Sequence, residues 1–413
     1  MRSPSPIGVR LVVATVAGLV VACSEPTTTI RRYAILDEIG SSDWQSVSVG
    51  QEHSCAIKTN GDAYCWGSNQ YGQLALSHGD TTCGTGKSAF RCSLVPHLVQ
   101  PGTKFLSISA GTKHSCAITN LRQAYCWGSN ENGQVSDVAT TGPTLVRIAG
   151  TLGYAQISAG ATHTCAVRTD GALFCWGAND RGQLGNGSFA SNGVVQVRLS
   201  LPIASVSAGQ QHTCARTTTG AVYCWGAIWT SREGGLEVTR SQTTPAAVPS
   251  APAMATLAVG SFASCGTDGS GIAFCWEGNP RGQLGNGTRD GSTTPQRVAS
   301  DLQFVQVSAG IVQTCGVATT GQGFCWGDDS FGQLGVNPSL LSSSCGTDLP
   351  CARSPIAVVG RQKFTQISTG PGSHSCGVST LGNLYCWGLG LSGQRGDGTA
   401  TYAISVPILV KEP

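Results

Sequence analysis

GATHTCAVRTDGALFCWGANDRGQLGNGS, residues 160–188, is the stretch whose reading decides the fold. Its first half recurs from Gly50, Gly111, Gly209, Gly260, Gly310 and Gly370, with small changes, and each copy carries two cysteines ten positions apart and ends in Cys-Trp. In the unit around it, Tyr154–Ser158, His163–Arg168, Ala172–Trp176 and Val194–Val197 read as short strands joined by tight turns. Four strands per unit and a period of about fifty residues suit one blade of a β-propeller.

The rest of the composition agrees. The chain has 413 residues, only 11% of them charged, with 56 glycines and no long amphipathic helix pattern. Seven starts spread from 50 to 370 leave no room for a second domain. Lys and Arg number 25 against 22 Asp and Glu, and setting aside Arg2 and Arg10 with a leader makes it 23 against 22. That balance offers no electrostatic footprint for nucleic acid or an anionic membrane surface.

The N-terminus reads as a targeting segment. Arg2 and Arg10 precede the apolar run Leu11–Val21, which is too short for a stable membrane span, so residues 1–22 are expected to be a signal peptide. Val20-Val21-Ala22-Cys23 resembles a bacterial lipobox, which implies lipidation of Cys23, a tether over 23–43 and, with Ser24 following, an outer-membrane or cell-surface location. Plain secretion with cleavage near Ala22 is the alternative.

Cysteine arithmetic points the same way. Of 19 cysteines, Cys23 lies outside the repeats and the remaining 18 are even in number. A reducing cytosol disfavours so many regularly spaced thiols, whereas an exported chain can oxidise them. If Thr59-Asn60-Gly61 is a three-residue loop, Lys58 pairs with Asp62 and Cys55 faces Cys65 at a Cα separation of about 4.5 Å. The same register pairs Cys116–Cys126, Cys165–Cys175, Cys214–Cys224, Cys265–Cys275, Cys315–Cys325 and Cys376–Cys386. Gly171, Gly220, Gly271, Gly321 and Gly382 repeat the loop glycine; Arg122 breaks the pattern, so the second hairpin is expected to turn differently. The remaining pairs are Cys83–Cys92 and Cys345–Cys351. Metal binding by these cysteines is disfavoured because close Cys-x-x-Cys pairs are lacking.

The phrase G-x-x-H-[ST]-C-A…G-x-x-[YF]-C-W-G-x-N-x-x-G-Q-L-G, with Trp-Gly and Gly-Gln-Leu-Gly at fixed offsets, resembles the regulator of chromosome condensation repeat family. The resemblance covers roughly residues 44–410 and implies an all-β, seven-bladed propeller of four-stranded blades. The family typically has other residues at the two cysteine positions, a departure that suits export. Ser405–Val410 has no later blade to enter, and the first unit lacks a strand before Trp44–Val49. The ring is therefore expected to close by pairing these N- and C-terminal strands in one blade, which removes two exposed edges.

Candidate chemistry is weak. His53, His114, His163, His212 and His374 precede the first cysteine of their hairpins, but equivalent positions on successive blades lie too far apart to share an ion. A structural role, hydrogen bonding to a neighbouring loop, is expected. One tryptophan per blade, Trp66, Trp127, Trp176, Trp225, Trp276, Trp326 and Trp387, reads as packing between blades. Gly388-Leu389-Gly390-Leu391-Ser392-Gly393 matches G-x-G-x-x-G without a following helix, so it offers no phosphate site. Asp180, Asp328 and Asp329 sit in blade-connecting turns, where such residues are expected for backbone reasons. No catalytic set, metal or cofactor is expected.

Protein-specific information lies where the repeat breaks. The connections Leu76–Val95 and Val336–Ala357 are long, and each holds an extra cysteine pair. The fourth unit loses Gly-Gln-Leu-Gly and carries Ala227-Ile228-Trp229-Thr230-Ser231-Arg232-Glu233 instead. Ordered loops on a rigid scaffold commonly carry recognition; neutral insertion is the alternative for the two cysteine loops. Trp229, Arg232 and Glu233 are the candidate binding residues. The expectation is a non-enzymatic, monomeric, lipid-anchored scaffold that binds a protein or extracellular ligand. Two alternatives are inhibition of a hydrolase such as a β-lactamase and, by resemblance alone, guanine-nucleotide exchange.

Overall fold

The computed structural model describes residues 42–413 except 78–80, 138–140, 150–152, 192, 234–235, 342 and 346–348. The leader and Cys23 lie outside the described residues, as does the expected tether up to residue 41. Among the described residues no helix is long and apolar enough to cross a membrane.

Seven antiparallel sheets follow one another along the chain, each a meander of one repeat. The inner strands of blades one to seven are Trp44–Val49, Phe105–Ala110, Tyr154–Ala159, Ile203–Ala208, Ala258–Val259, Phe304–Ala309 and Phe364–Thr369. The protein is a seven-bladed β-propeller. Apolar residues alternate along the inner strands, as in Tyr154, Ile157 and Ala159, because one face of each sheet is covered by the next blade.

The hairpin register is the one the cysteine spacing predicts. Cys55 lies opposite Cys65, Ala56 opposite Tyr64 and Ile57 opposite Ala63, and the Lys58 N–H donates to the Asp62 carbonyl at 2.9 Å. All seven hairpin pairs form disulfides with Cα atoms 4.0–4.1 Å apart. The second hairpin does not turn differently: Arg122 holds the left-handed conformation, φ 62°, in the place of the usual glycine. Its N–H donates to Thr119 O as Gly61 N–H does to Lys58 O, so the disulfide register overrides the steric preference at that residue.

Ring closure differs from the expectation. The last strand, Ala403–Leu409, pairs with Leu384–Leu389 in blade seven, with Cys386 opposite Ile408. The first, Trp44–Val49, pairs with His53–Lys58 in blade one. No shared blade is formed because blade one takes its outer strand, Phe90–Leu98, from its own long connection, which leaves no slot for the C-terminus. The ends meet instead across a blade boundary. Gln366 exchanges two hydrogen bonds with the Val47 backbone, and the Ser368 hydroxyl accepts from Val49 N–H. Glu412 reaches back to Lys58 at 2.8 Å and to the Trp44 indole at 3.2 Å.

The extra cysteine pairs extend two sheets. Thr81–Cys83 adds a fifth strand to blade one and Ser343–Ser344 to blade six, beside the Cys83–Cys92 and Cys345–Cys351 disulfides.

Candidate functional site

Six of the seven blade joints share one construction. In the joint between blades three and four, the Gly-Gln-Leu-Gly turn of blade three inserts against blade four. The Gln183 carbonyl accepts from the Trp225 indole N–H at 2.8 Å and from the Thr213 hydroxyl at 2.9 Å. Leu184 is fully buried beside them. At Gly185 a Cβ would lie 2.7 Å from the Trp225 indole nitrogen, so a side chain there would require a shift; blade one has Ala75 at the same position, φ 61°. Equivalent carbonyls of Gln73, Gln134, Gln283, Gln333 and Gln394 receive Trp127, Trp176, Trp326, Trp387 and Trp66 at 2.9 Å.

The histidines complete the joint. His163 Nε2 lies 2.8 Å from Thr213 Oγ1; because that hydroxyl gives its proton to Gln183 O, the imidazole must donate through Nε2. His53, His114 and His374 repeat this against Ser115, Thr164 and Ser54. The partner is therefore a strand residue of the next blade rather than a loop. Burial pushes the imidazoles of His53, His114, His163 and His374 down to about 3, so they stay neutral. Among the described residues no group of three or more His, Cys, Asp or Glu could hold a metal ion.

Two joints carry further substitutions. In blade seven, Gly390 stands where blade three has Asn179, and Arg395 where it has Leu184. Asn179 holds its turn through the Ser188 and Ala190 carbonyls. Arg395, fully buried, reaches into the space of the missing side chain and bonds the Gly388 and Thr401 carbonyls. A Cβ on Gly390 would lie 1.7 Å from its guanidinium, so the two changes require each other. In blade six Asp329 replaces the asparagine, its Oδ1 accepting from Leu334 N–H at 2.9 Å. Burial, with the Asp328 charge alongside, pushes its carboxyl up to about 7.

The joint between blades four and five is built differently. Blade four has no Gly-Gln-Leu-Gly turn; its third and fourth strands run on as a long hairpin, Val222–Glu233 with Leu236–Ala247. Trp276 of blade five therefore has no loop carbonyl, and among the described residues its indole N–H meets no acceptor. The Trp-Gly glycine of other blades is here Glu277, at φ 81°. At Gly226 a Cβ would meet Gln211 O at 2.5 Å and His212 Cα at 2.7 Å in its own blade and Gln183 Cα of the inserted turn at 3.3 Å; the missing turn before blade five removes only the last of these. The Glu277 carboxylate takes over part of the joint: Oε2 accepts from the Ser264 hydroxyl at 2.8 Å and lies 3.1 Å from His212 Nε2. Glutamate at this position is readable in the sequence as the single Cys-Trp-Glu beside six Cys-Trp-Gly.

What remains of the vacated turn is a cleft of about 240 Å³. Ile228, Trp229, Val248, Trp276 and Glu277 line it, and Arg240 and Thr293 stand at the same opening. Of the sequence-predicted binding residues, Trp229 is thus a wall of the cleft, only 8% exposed and resting on Gly291. Arg232 and Glu233 lie further along the same hairpin, with Arg232 opposite Glu237 and Glu233 opposite Leu236. The sixth-blade cysteine loop rests on blade five, with the Cys345 sulfur 3.3 Å from the Arg281 carbonyl.

Fold and joints together define a disulfide-stapled seven-bladed propeller with one joint opened. Residues 44–73, 105–134, 154–183 and 364–394 match a family model described as "Regulator of chromosome condensation (RCC1) repeat", and 60–118 and 170–216 match a second model of the same description. Those stretches are similar to repeats of that family. It is 34% identical over 99 residues to Protein RCC1 of Candida albicans and 30% identical over 100 residues to the ultraviolet-B receptor UVR8 of Arabidopsis thaliana; each match covers 24% of this chain and 21% of the relative. Among solved structures it is similar to human WBSCR16, with a TM-score of 0.72, 19% identity, and coverage of 85% of this chain and 94% of that one. It is also similar to Prp20p of Saccharomyces cerevisiae, a protein described with its binding properties to Gsp1p and histones. That match has a TM-score of 0.62 and 19% identity over 79% of this chain and 80% of that one. At that identity the likeness concerns the fold.

Proposed function

We propose that this chain is an exported, non-enzymatic propeller scaffold that binds another protein through the long hairpin of blade four. The observation that carries the reading is the opened joint beside that hairpin. Six joints are filled by the chain's own turns, while the seventh offers a cleft with aromatic walls and a projecting strand pair. A rigid ring limits the ordering cost of association, and Trp and Arg are residue types that dominate binding hot spots. Binding to proteins described for a similar propeller supports the same use of the fold.

Export is part of the proposal. Nine disulfides suit an oxidising compartment. The leader and Cys23 would place the propeller at the cell surface on a lipid anchor. Metabolic labelling with a palmitate analogue tests the anchor, with incorporation expected in the full chain and lost in Cys23→Ala.

Crosslinking on intact cells followed by mass spectrometry identifies the partner. The Trp229→Ala/Arg232→Ala double variant should then lose its capture. Undiminished capture by a folded variant would move the site elsewhere on the ring.

A further inference from the structure

We infer that the cleft between blades four and five is a peptide-turn receptor: a turn from the partner protein docks where the missing Gly-Gln-Leu-Gly turn would lie. The inference rests on the reading of the blade-four hairpin as the recognition element and names what that element recognises.

Six joints of this same molecule serve as the template. In each, a turn presents a backbone carbonyl to an indole N–H, and in four of the six a glycine, Gly185, Gly285, Gly335 or Gly396, lies against the ring. The seventh indole, Trp276, is 2% exposed, lines the cleft, and meets no acceptor among the described residues. Its N–H is not sealed from solvent, so an incoming carbonyl would take the place of water there. Glu277 supplies the complementary need. Its Oε2 is engaged by Ser264 and His212, while among the described residues Oε1 accepts no hydrogen bond. A peptide group brings both halves at once, a C=O for Trp276 and an N–H for Glu277. The apolar walls Ile228, Trp229 and Val248 suit one aliphatic side chain next to it, as Leu184 is held in the intact joint. Because the Glu277 side chain takes the innermost part of the vacated space, the incoming turn lies outside it, against the hairpin.

The test uses the whole protein, labelled with 5-fluorotryptophan, and a disulfide-cyclised peptide enclosing Gly-Gln-Leu-Gly-Asn-Gly, the sequence of residues 182–187. Cyclisation lowers the ordering cost that would hide a short linear peptide. The fluorine resonance of Trp276, assigned by its loss in Trp276→Phe, should shift saturably. The six loop-bonded indoles should not shift. The same ring with Asp in place of Leu should leave Trp276 unmoved, since it places a charge among apolar walls. By calorimetry, Trp276→Phe, which keeps an aromatic face but removes the N–H with the pyrrole ring, should weaken binding about tenfold. An unmoved Trp276 resonance at saturating peptide overturns the inference, as do equal shifts with the Asp ring. If the resonance stays still while hairpin variants lose the captured partner, this inference falls and the scaffold reading stands. If the peptide binds and the hairpin variants keep the partner, the scaffold reading falls instead.

Discussion

The joints on either side of blade four use the same two tryptophan positions in opposite ways. Between blades three and four, Trp225 is closed over by a turn whose Gln183 carbonyl serves both Trp225 and Thr213. Between blades four and five that turn has become an outgoing hairpin, and Trp276 is left facing a cleft while Glu277 holds Ser264 and His212. A repeat protein gains stability from identical nearest-neighbour joints. The comparison teaches that one joint here has given up part of that bond set and gained an opening.

The comparison can be broken most sharply at the leucine. Leu184→Ala removes a fully buried side chain from the intact joint and should cost about 2–5 kcal/mol in chemical denaturation. Ile228→Ala, on the half-open wall of the cleft, should cost well under half of that. Equal losses would mean the two joints are equally filled.

Next in size is acid sensitivity. The unfolded chain protonates each histidine near 6.5, whereas in the fold His163 stays neutral until about 3. Stability conferred by the neutral imidazole is therefore complete above 6.5 and falls as pH drops through that window, by about 1.4 kcal/mol per pH unit for each such group. His163→Gln should flatten the slope of stability against pH, with Gln313 of blade six showing that glutamine can serve at this position by donating to Gly372 O. An unchanged slope would mean that the buried histidines do not set it.

Asp329 carries the opposite sign. Its folded carboxyl titrates at about 7, above its unfolded value, so the folded chain holds a proton that is lost as pH rises toward 7 and beyond. Stability therefore falls as pH rises from about 4 to 7, and Asp329→Asn, which restores the asparagine of blades one, two, three and five, should raise the melting temperature most at pH 8 and change it little at pH 4. A gain of the same size at both pH values would contradict the assignment. The smallest expected effect is the difference between two equal truncations. Trp225→Phe and Trp276→Phe remove the same ring volume from buried sites, and Trp225→Phe should cost about 1 kcal/mol more because only it strands the Gln183 carbonyl.

How much of this was legible beforehand follows from which features repeat. Blade number and the seven hairpin pairs could be read because repeat spacing constrains them, as Cys55 opposite Cys65 shows, and Cys83–Cys92 and Cys345–Cys351 because each long connection holds one remaining pair. Blade identity of the end strands could not, because a Pro-x-x-Val segment reads equally well as the outer strand of its own blade or of the next; pairing of Cys65 with His97 decided it. Arg122 misled for a related reason, since a steric preference worth about 1–2 kcal/mol is outweighed by a disulfide and a full ladder. The fourth-blade break was visible as a missing motif. Its consequence one blade later, Glu277 at a glycine position and Trp276 without an acceptor, was not, because the joint joins residues about fifty apart in sequence. Trp229, a candidate binding residue by its type and place in the sequence, is a largely buried wall, which places the proposed contact in the cleft rather than on the hairpin surface.

The central claim, that one indole of seven lacks the loop carbonyl that holds the others, is tested most directly by deuterium exchange of the tryptophan indole N–H groups. A nitrogen–proton spectrum resolves them, and exchange follows local opening and access to water. The account predicts slow exchange for Trp66, Trp127, Trp176, Trp225, Trp326 and Trp387, each bonded to a glutamine carbonyl, and early loss of the Trp276 signal. Protection of Trp276 equal to that of the other six would contradict it.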